Sequence, residues 1–546
     1  MNQEVTNAVS PPASHRRGQS KLSGGPSSSQ LSTNNRLQQP QPLATTVGGN
    51  PTTMVSKLIQ RSTHEAENPF EVTLREACCF LEPKLRPPFP LTIPTPEEYS
   101  NLNRAILYGI LSEPHLANVH IKHLHGVITD GYEYFTSLLV KLVNELYGKL
   151  VDSVKKQLIW VTHEMVNVSA IGFDGLLVAL LRQIVGGDFG EENLWLCFEM
   201  VNLFSGKWVN LLEEKPLVLT GALYVFLRLL ADHCRVLNIP KIESLRKMEI
   251  DFCVRMLREN FSLCLRIGRD LLRLLQDLAH VPEFRAIWKD LLCNPSAFRI
   301  DGFVDISHIY NTRTSRWYFS LRLTPEMESQ LRFLLTDVKF GSQNRYQVWF
   351  TKKFLSLPER NAVLIDIVRF ICCAHHPSND VIQSDIIPRW AVLGWLLRSN
   401  MKNHVEANLK LALFYDWLFF DEKVDNIMNI EPAALLMVRS IPKYIDITNS
   451  LLEFLFILLD NYDVERKEIL LRGLNTAFRA LLRKGVVPSL DVLTSCDMLS
   501  PILKERLEKL LSDMQFEHSA EFQNTKIPCD VVVPSVFPSQ ESQTSL

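Results

Sequence analysis

No C-x-x-C pair occurs in the 546 residues, although 11 are cysteines. Their number is odd, and most sit singly inside apolar stripes, as Cys253, Cys264 and Cys293 do. That argues against a disulfide framework and fits a reducing compartment. The adjacent pairs Cys78–Cys79 and Cys372–Cys373 lie on helical patterns and read as buried thiols rather than redox sites. Net charge is also scarce: 58 Lys and Arg against 60 Asp and Glu leave -2. No overall field draws the chain to nucleic acid or membrane, so any such contact needs a local patch. The first fifty residues hold no apolar core of a secretory signal. The most lipid-like run, Leu451–Leu459, is too short to span a bilayer and carries Glu453. These absences predict a soluble, intracellular protein that is not membrane-bound.

Period-two alternation is nearly missing too, which leaves little room for strands. Missing as well are a GxxxxGK[ST] phosphate loop, a GxSxG elbow and an HExxH zinc helix. The expectation is a chain without catalytic residues, cofactor or metal. An enzyme whose site assembles only in three dimensions is the remote alternative.

What is present is helix. Hydrophobic residues make up 46% of the chain and charged ones 22%, enough for a large core. In Met248–Pro295, Ile250, Val254, Leu257, Phe261, Cys264 and Leu265 recur every three or four residues. Ile267, Leu271, Leu274, Leu275 and Leu278 continue the stripe. Arg255, Arg258, Arg266, Arg269 and Arg273 lie between. Pro282 marks a new helix start and Pro295 a stop. Such a helix pair cannot bury its stripe alone and needs similar neighbours.

Those neighbours fill the chain. Thr95, Pro96 and Glu98 form an N-cap, first-turn proline and capping box, after a proline-rich connector at Pro83–Pro94. Helices are predicted at Tyr132–Leu146, Leu150–Val166, Leu176–Ile184, Glu191–Leu203 and Leu217–Leu230. Beyond the central pair come Pro325–Thr336, Arg345–Phe354, Leu364–Cys373, Pro388–Leu397, Ala407–Phe420, Ala433–Val438, Ile447–Leu459, Val464–Leu482 and Pro501–Met514. Gly186 and Gly187 suit a C-cap. Breakers about every 20 residues give two helices per roughly forty, the rhythm of HEAT-like arrays. The fold class is therefore all-α: a HEAT-like α-solenoid of stacked antiparallel helix pairs over 53–515, with Val55, Leu58 and Ile59 opening it. Segments 1–52 and 516–546 are polar, Ser/Gln/Pro-rich or proline-punctuated, and read as disordered tails. Arg16, Arg17 and Lys21 form a thin basic cluster, a weak nuclear-import signal beside the reading of a solvated tail. Ser539–Gln540 and Ser542–Gln543 are the dipeptides damage-response kinases phosphorylate, though such pairs also arise by chance.

Few groups suggest chemistry. His120, His123 and His125 in HIKHLH have no Cys or carboxylate close in sequence and read as surface or capping residues rather than metal ligands. His375 and His376, before Pro377, sit at a helix end where imidazolium suits the dipole. Gly186-Gly187-Asp188 reads as a turn rather than an anion site. One segment departs from neutrality: between Arg313 and Lys353, eight cations face three carboxylates, interleaved with Trp317, Tyr318, Phe319, Tyr346 and Trp349. Three readings stand: base stacking with phosphate contacts, a docking face for an acidic partner, or an amphipathic helix pair with solvated charges. Arg313, Arg316, Trp317, Arg345, Tyr346, Trp349, Arg389, Trp390, Tyr415 and Trp417 are the candidate partner-binding residues. Reversing Arg345 and Arg389 to Glu and truncating Trp349 is expected to release a partner without unfolding the array.

Long stretches carry a resemblance. FCVRMLRENFSLCLRIGRDLLRLLQDLAHVPEFRAIWKDLLCNP (Phe252–Pro295), RTSRWYFSLRLTPEMESQLRFLL (Arg313–Leu335), HPSNDVIQSDIIPRWAVLGWLL (His376–Leu397) and LKLALFYDWLFFD (Leu409–Asp421) resemble the N-terminal domain of the Integrator complex subunit 3 family, whose members also belong to the sensor of single-stranded DNA complex. So do RYQVWF, IMNIEPAALLMV, LIWVTHEMV and LLRQIVGGDFGEENLWL. The resemblance runs from about Asp130 to Leu482. It implies a non-enzymatic helical scaffold in the nucleus, with the cytoplasm also open. It implies binding of an OB-fold single-stranded-DNA-binding protein, a small adaptor polypeptide and other Integrator subunits, with single-stranded DNA held mainly by the OB-fold partner. DNA damage response, DNA repair and 3′-end processing of small nuclear RNAs are the implied processes. Family members continue into a second helical domain for self-association and contact with another Integrator component, which these 546 residues do not reach. A direct nucleic-acid binder using the 313–353 patch is the alternative.

Overall fold

The computed structural model describes residues 56–60, 66–89, 94–236, 239–356, 361–399 and 403–523. The expected N-terminal tail, the basic cluster and the two serine-glutamine pairs lie outside the described residues. Among the described residues the fold is all-α, and the extended pairings are two isolated antiparallel bridges, Ile59 with Leu150 and Lys339 with Ile386. Leu58 and Ile59 thus do not open a helix. Val151 N–H donates to Leu58 O and Gln60 N–H to Lys149 O, so the segment lies along the loop at 149–151.

Local chemistry places the first helices. Helix α1 (Pro69–Leu81) starts where Asn68 Oδ1 accepts from the N–H groups of Phe70 and Glu71. Helix α2 (Pro96–Ser112) starts at the expected capping box. Thr95 Oγ1 accepts from Glu98 N–H at 3.4 Å, and the Glu98 carboxylate accepts from Thr95 N–H at 3.1 Å. α3 (Ala117–Val127), α4 (Glu133–Leu146), α5 (Asp152–Asn167), α6 (Phe173–Leu181), α7 (Glu191–Gly206) and α8 (Trp208–Glu214) follow. Each turns its apolar stripe inward. In α4 the buried face is Phe135, Leu138, Leu139, Leu142, Val143 and Leu146.

The centre is α9 (Pro216–His233), buried without a break from Val218 to His233. Among the described residues it alone is long and apolar enough to cross a membrane, yet 89% of it is buried within the fold. It packs on α6 and α8, and on the helices of the central stretch.

That stretch is not one continuous stripe. α10 (Pro240–Glu259) is followed by a single turn, α11 (Phe261–Cys264), and then by Gly268, before α12 (Asp270–Asp277) and α13 (Pro282–Cys293). Gly268 has φ 79° and ψ -157°, a conformation essentially reserved for glycine. A Cβ there would lie 2.6 Å from Thr312 O. The break has a consequence: it turns Arg269 and Asp270 inward, where their N–H groups donate to Thr312 O and Thr314 Oγ1. Arg269 and Arg273, expected between stripes, are buried.

The second half comprises α14 (Ser307–Tyr310), α15 (Arg316–Ser320), α16 (Pro325–Thr336), α17 (Asn344–Phe354), α18 (Asn361–Arg369), α19 (Asn379–Ile382), α20 (Arg389–Arg398), α21 (Asn403–Leu418), α22 (Glu431–Ser440), α23 (Ile445–Asn461), α24 (Lys467–Arg483), α25 (Asp491–Thr494) and α26 (Pro501–Gln523). α18 runs into a π-helical turn at Phe370–Ala374. α26 extends past the Met514 and Phe516 limits read from the sequence, to Gln523. Neighbours in sequence pack on one another, as α1 on α2, α2 on α3 and α22 on α23, and α20 packs on α22, one helix further on. This is how repeat arrays bury their stripes.

Long-range contacts are added to this. Five arginines (Arg228, Arg269, Arg273, Arg322, Arg369) and five aspartates (Asp232, Asp270, Asp366, Asp416, Asp425) are buried together. Arg228 pairs with Asp232 at 2.9 Å and Asp366 at 3.4 Å, and Arg322 reaches Asp366 at 3.3 Å. Arg273 holds Asp270 through both oxygens, at 2.8 and 3.0 Å. Arg369 bridges Asp270 at 3.2 Å and Asp416 at 2.7 Å, and Arg269 bridges Asp416 at 3.5 Å and Asp425 at 3.0 Å. Positive and negative charges balance, as burial demands, because an unpaired ion there would cost several kcal/mol. The pairs tie α9 and α12 to α18 and α21. Half-buried outside this cluster, Arg182, just past α6, meets Glu328 of α16 at 2.5 Å.

Candidate partner interface

The ten residues singled out from sequence divide by environment. Three are interior. Tyr415 is fully buried and donates from its hydroxyl to Arg269 O at 2.7 Å. Trp417 is fully buried and meets Phe478 edge-on. Arg389 is buried, donates to Ile371 O and His375 O, and pairs with Glu431 at 2.5 Å. These three belong to the fold rather than to an accessible face. The expectation that Arg389 can be reversed without unfolding is corrected: a carboxylate there would face two carbonyl oxygens and another carboxylate.

Three more gather at α15. Arg313 is half-buried at the rim of a small cleft with Glu422, Asp425 and Lys484. Arg316 is exposed and donates to His376 Nδ1 at 2.5 Å. Trp317 is half-buried and packs onto Gly221 of α9, where a Cβ would overlap its ring.

The remaining four lie on or beside α16 and α17. Tyr346 is half-buried; its hydroxyl donates to Gln330 at the carbonyl or side-chain oxygen, and burial raises its pKa to about 12. Its ring stands 5.5 Å from Phe333 and 5.3 Å from Trp349, a line of three aromatic rings. Phe333 and Trp349 are 48% and 40% exposed. Trp390 is half-buried against Phe340, itself 53% exposed. The bridge of Lys339 with Ile386 fixes Phe340, whose N–H donates to Asp385 O at 2.7 Å. Phe333, Phe340 and the 69% exposed Val348 escaped the sequence reading. The only signal of Phe333 and Val348 was an apolar residue out of phase with its helix, and Phe340 lies in the loop between α16 and α17.

Half of the cations in this segment are paired with carboxylates. Arg322 is buried with Asp366, Arg332 pairs with Glu328, Lys339 with Asp385 and Lys353 with Glu326. Arg345 and Lys352 are exposed and make no ion pair or hydrogen bond to the described residues. A groove of about 980 Å³ runs beside α16, lined in part by Tyr147, Lys155, Glu192, Gln330, Lys353 and Phe354.

The histidines are corrected too. His120 and His123 are buried, not surface residues. His120 Nε2 meets Glu113 at 3.1 Å, and His123 stacks on Phe89 at 4.1 Å. Among the described residues no cluster of His, Cys, Asp or Glu could hold a metal ion. His375 and His376 have pKa values lowered to about 4, by burial first and then by Arg332 and Arg389 for His375, and Arg316 and Arg389 for His376. They are neutral at pH 7 and supply no charge to a helix dipole. Gly186 lies in a turn, as expected. It approaches Arg322, Asp232 and Asp366, so the turn covers the buried charges.

The family profile for the N-terminal part of Integrator complex subunit 3 matches residues 97–509. The chain belongs to the Integrator complex subunit 3 family. It is 41% identical over 413 residues to the Integrator complex subunit 3 homolog of Dictyostelium discoideum, covering 74% of this chain and 27% of that protein. It is 37% identical over 436 residues to Integrator complex subunit 3 of Mus musculus, covering 79% and 40%. The Homo sapiens protein is 38% identical over 423 residues, covering 77% and 39%. The chain thus spans well under half the length of these relatives. The matched range takes in α2 to the start of α26, including the buried charges and the α16–α17 face.

Proposed function

We propose that this protein is a non-enzymatic scaffold component of Integrator and of the single-stranded-DNA sensor complex, acting in the nucleus. On this reading it binds other Integrator subunits, a small adaptor and an OB-fold single-stranded-DNA-binding protein through which DNA is held. It serves the DNA damage response and 3′-end processing of small nuclear RNAs. The observation that carries the reading is family membership across nearly the whole helical array. The exposed line of Phe333, Tyr346 and Trp349, beside two cations with no carboxylate partner among the described residues, supports a protein-docking role for the α16–α17 face.

The same rings favour one second reading, direct stacking of unpaired bases. Phosphate binding needs several free cations, and four of the eight between Arg313 and Lys353 are held by carboxylates, which favours docking. The test is mass spectrometry of proteins co-purifying with the tagged chain from nuclear extract, alongside salt-dependent binding of the isolated chain to a labelled single strand. Integrator subunits and an OB-fold protein are expected in the first. Their absence, with tight salt-dependent binding in the second, would replace the scaffold reading by the nucleic-acid one.

A further inference from the structure

Helix α17 spans 11 residues, Asn344–Phe354, and its two sides differ sharply. Gln347, Phe350 and Phe354 are buried and fix the helix to the body. At 100° per residue these three fall within one 60° sector. Arg345, Val348, Trp349 and Lys352 have the spacing i, i+3, i+4, i+7 and fall in the opposite sector. All four are exposed. The outer face therefore reads cation, apolar, aromatic, cation over two turns.

The two cations decide what fits. Lys353, one residue on, is already paired with Glu326, and Arg332 on α16 with Glu328. Arg345 and Lys352 stand about 80° and 100° round the axis from Lys353 and find no carboxylate among the described residues. They stand about 10 Å apart along the axis, seven residues at the helical rise. Val348 and Trp349 between them leave apolar surface in water, and Phe333 extends that surface through Tyr346.

We propose that the outer face of α17 is a docking site for an acidic amphipathic helix of a partner protein. Its carboxylates stand two turns apart, pairing with Arg345 and Lys352, and its apolar residues between them cover Val348 and Trp349. A helix of that pattern repeats the spacing of α17 with opposite charge, and i, i+3, i+4, i+7 anchoring is how a helix reads a flat apolar strip. This deepens the docking role proposed above and rests on it. It names the chemistry of one ligand and the four residues that select it.

The test measures fluorescence anisotropy of a labelled helical peptide with Glu at two positions seven apart and Leu at the third and fourth positions between. It is titrated with the full chain, wild type and variants. Binding is expected for this peptide and not for its scramble. Arg345→Glu with Lys352→Glu should weaken it at least about tenfold, and a peptide with Lys in place of Glu should bind that variant in preference to wild type. Val348→Ser should weaken the acidic peptide while melting at the wild-type temperature, since that side chain is 69% exposed, and Trp349→Ala should weaken it too. The idea is overturned if scramble and designed peptide bind alike, if charge reversal leaves affinity unchanged, or if the variants lose a labelled oligodeoxythymidine strand instead of the peptide. Co-purification of Integrator subunits with the Arg345→Glu/Lys352→Glu chain separates the two levels. If the peptide fails while the subunits are retained, this inference falls and the scaffold reading stands.

Discussion

Arg369 shows what a buried ion costs and holds. It lies between Asp270 and Asp416, with the Phe319 ring 4.8 Å from its guanidinium. Arg369→Met keeps the volume but strips two buried carboxylates of a partner. A loss of about 3–5 kcal/mol in unfolding free energy is expected by urea titration, the usual effect of breaking a buried pair. Lys353→Gln, which breaks an exposed pair with Glu326, should barely move the midpoint. Near-equal losses would mean that the interior pairs are solvated. His375 and His376 set a pH dependence. The unfolded chain takes up their protons near pH 6.5, and the folded one only near 4. Protons therefore bind preferentially to the unfolded state between these values. Stability is full above pH 6.5 and falls as pH drops towards 4, by at most about 1.4 kcal/mol per unit per histidine. Thermal melts from pH 7 to 4.5 should show the fall, and His376→Gln, which keeps an acceptor for Arg316, should flatten it. An unchanged slope in that variant would assign the effect to other groups.

At the scale of elements, apolar spacing marked most helices to within a few residues, because all but a few, α9 among the exceptions, have a single buried face. The capping box at Thr95 was legible in full, since its residues lie within four positions of sequence. What spacing does not reveal is how helices approach. Gly473 in α24 passes so close to the end of α21 that a Cβ would overlap Leu418 O, with Leu418 C at 2.7 Å and Phe419 N at 3.0 Å. Those are backbone atoms and cannot rotate away. Gly473→Ala should cost about 3 kcal/mol, against about 1 kcal/mol for Thr95→Ala at an exposed cap. The reverse order in denaturant titrations would mean that α21 and α24 can slide apart. The break at Gly268 was missed for a similar reason: the flanking apolar residues keep a helical period, and only contact with Thr312 forces the turn. The candidate face was half legible. Arg345, Tyr346 and Trp349 were found because cations and aromatics alternate there. Arg389, Tyr415 and Trp417 were drawn in by the same composition, and only depth in the fold separates the two sets.

For the molecule as a whole, the buried charges matter more than any single helix. A stack joined only between neighbours can be cut at a loop, and each piece keeps most of its contacts. Here the partners are distant in sequence: Arg228 with Asp366, Asp270 with Arg369, Arg269 with Asp416 and Asp425, and the half-buried Arg182 with Glu328. Cutting between α13 and α14 would leave Arg269 without either of its carboxylates and would take Asp366 from Arg228 and Arg369 from Asp270, which would keep only Asp232 and Arg273. It would also bare the side of α12 that the second half covers. Residues 66–300 and 301–523 produced separately should each lack a cooperative thermal transition and be cleaved rapidly by protease. Produced together, they should recover one shared transition. The full chain should melt in a single step by circular dichroism and by Trp fluorescence alike, because the ions that close the interior belong half to one segment and half to the other. Two independent transitions, or a stable isolated half, would show that packing between neighbours suffices and that the buried pairs follow the fold rather than hold it.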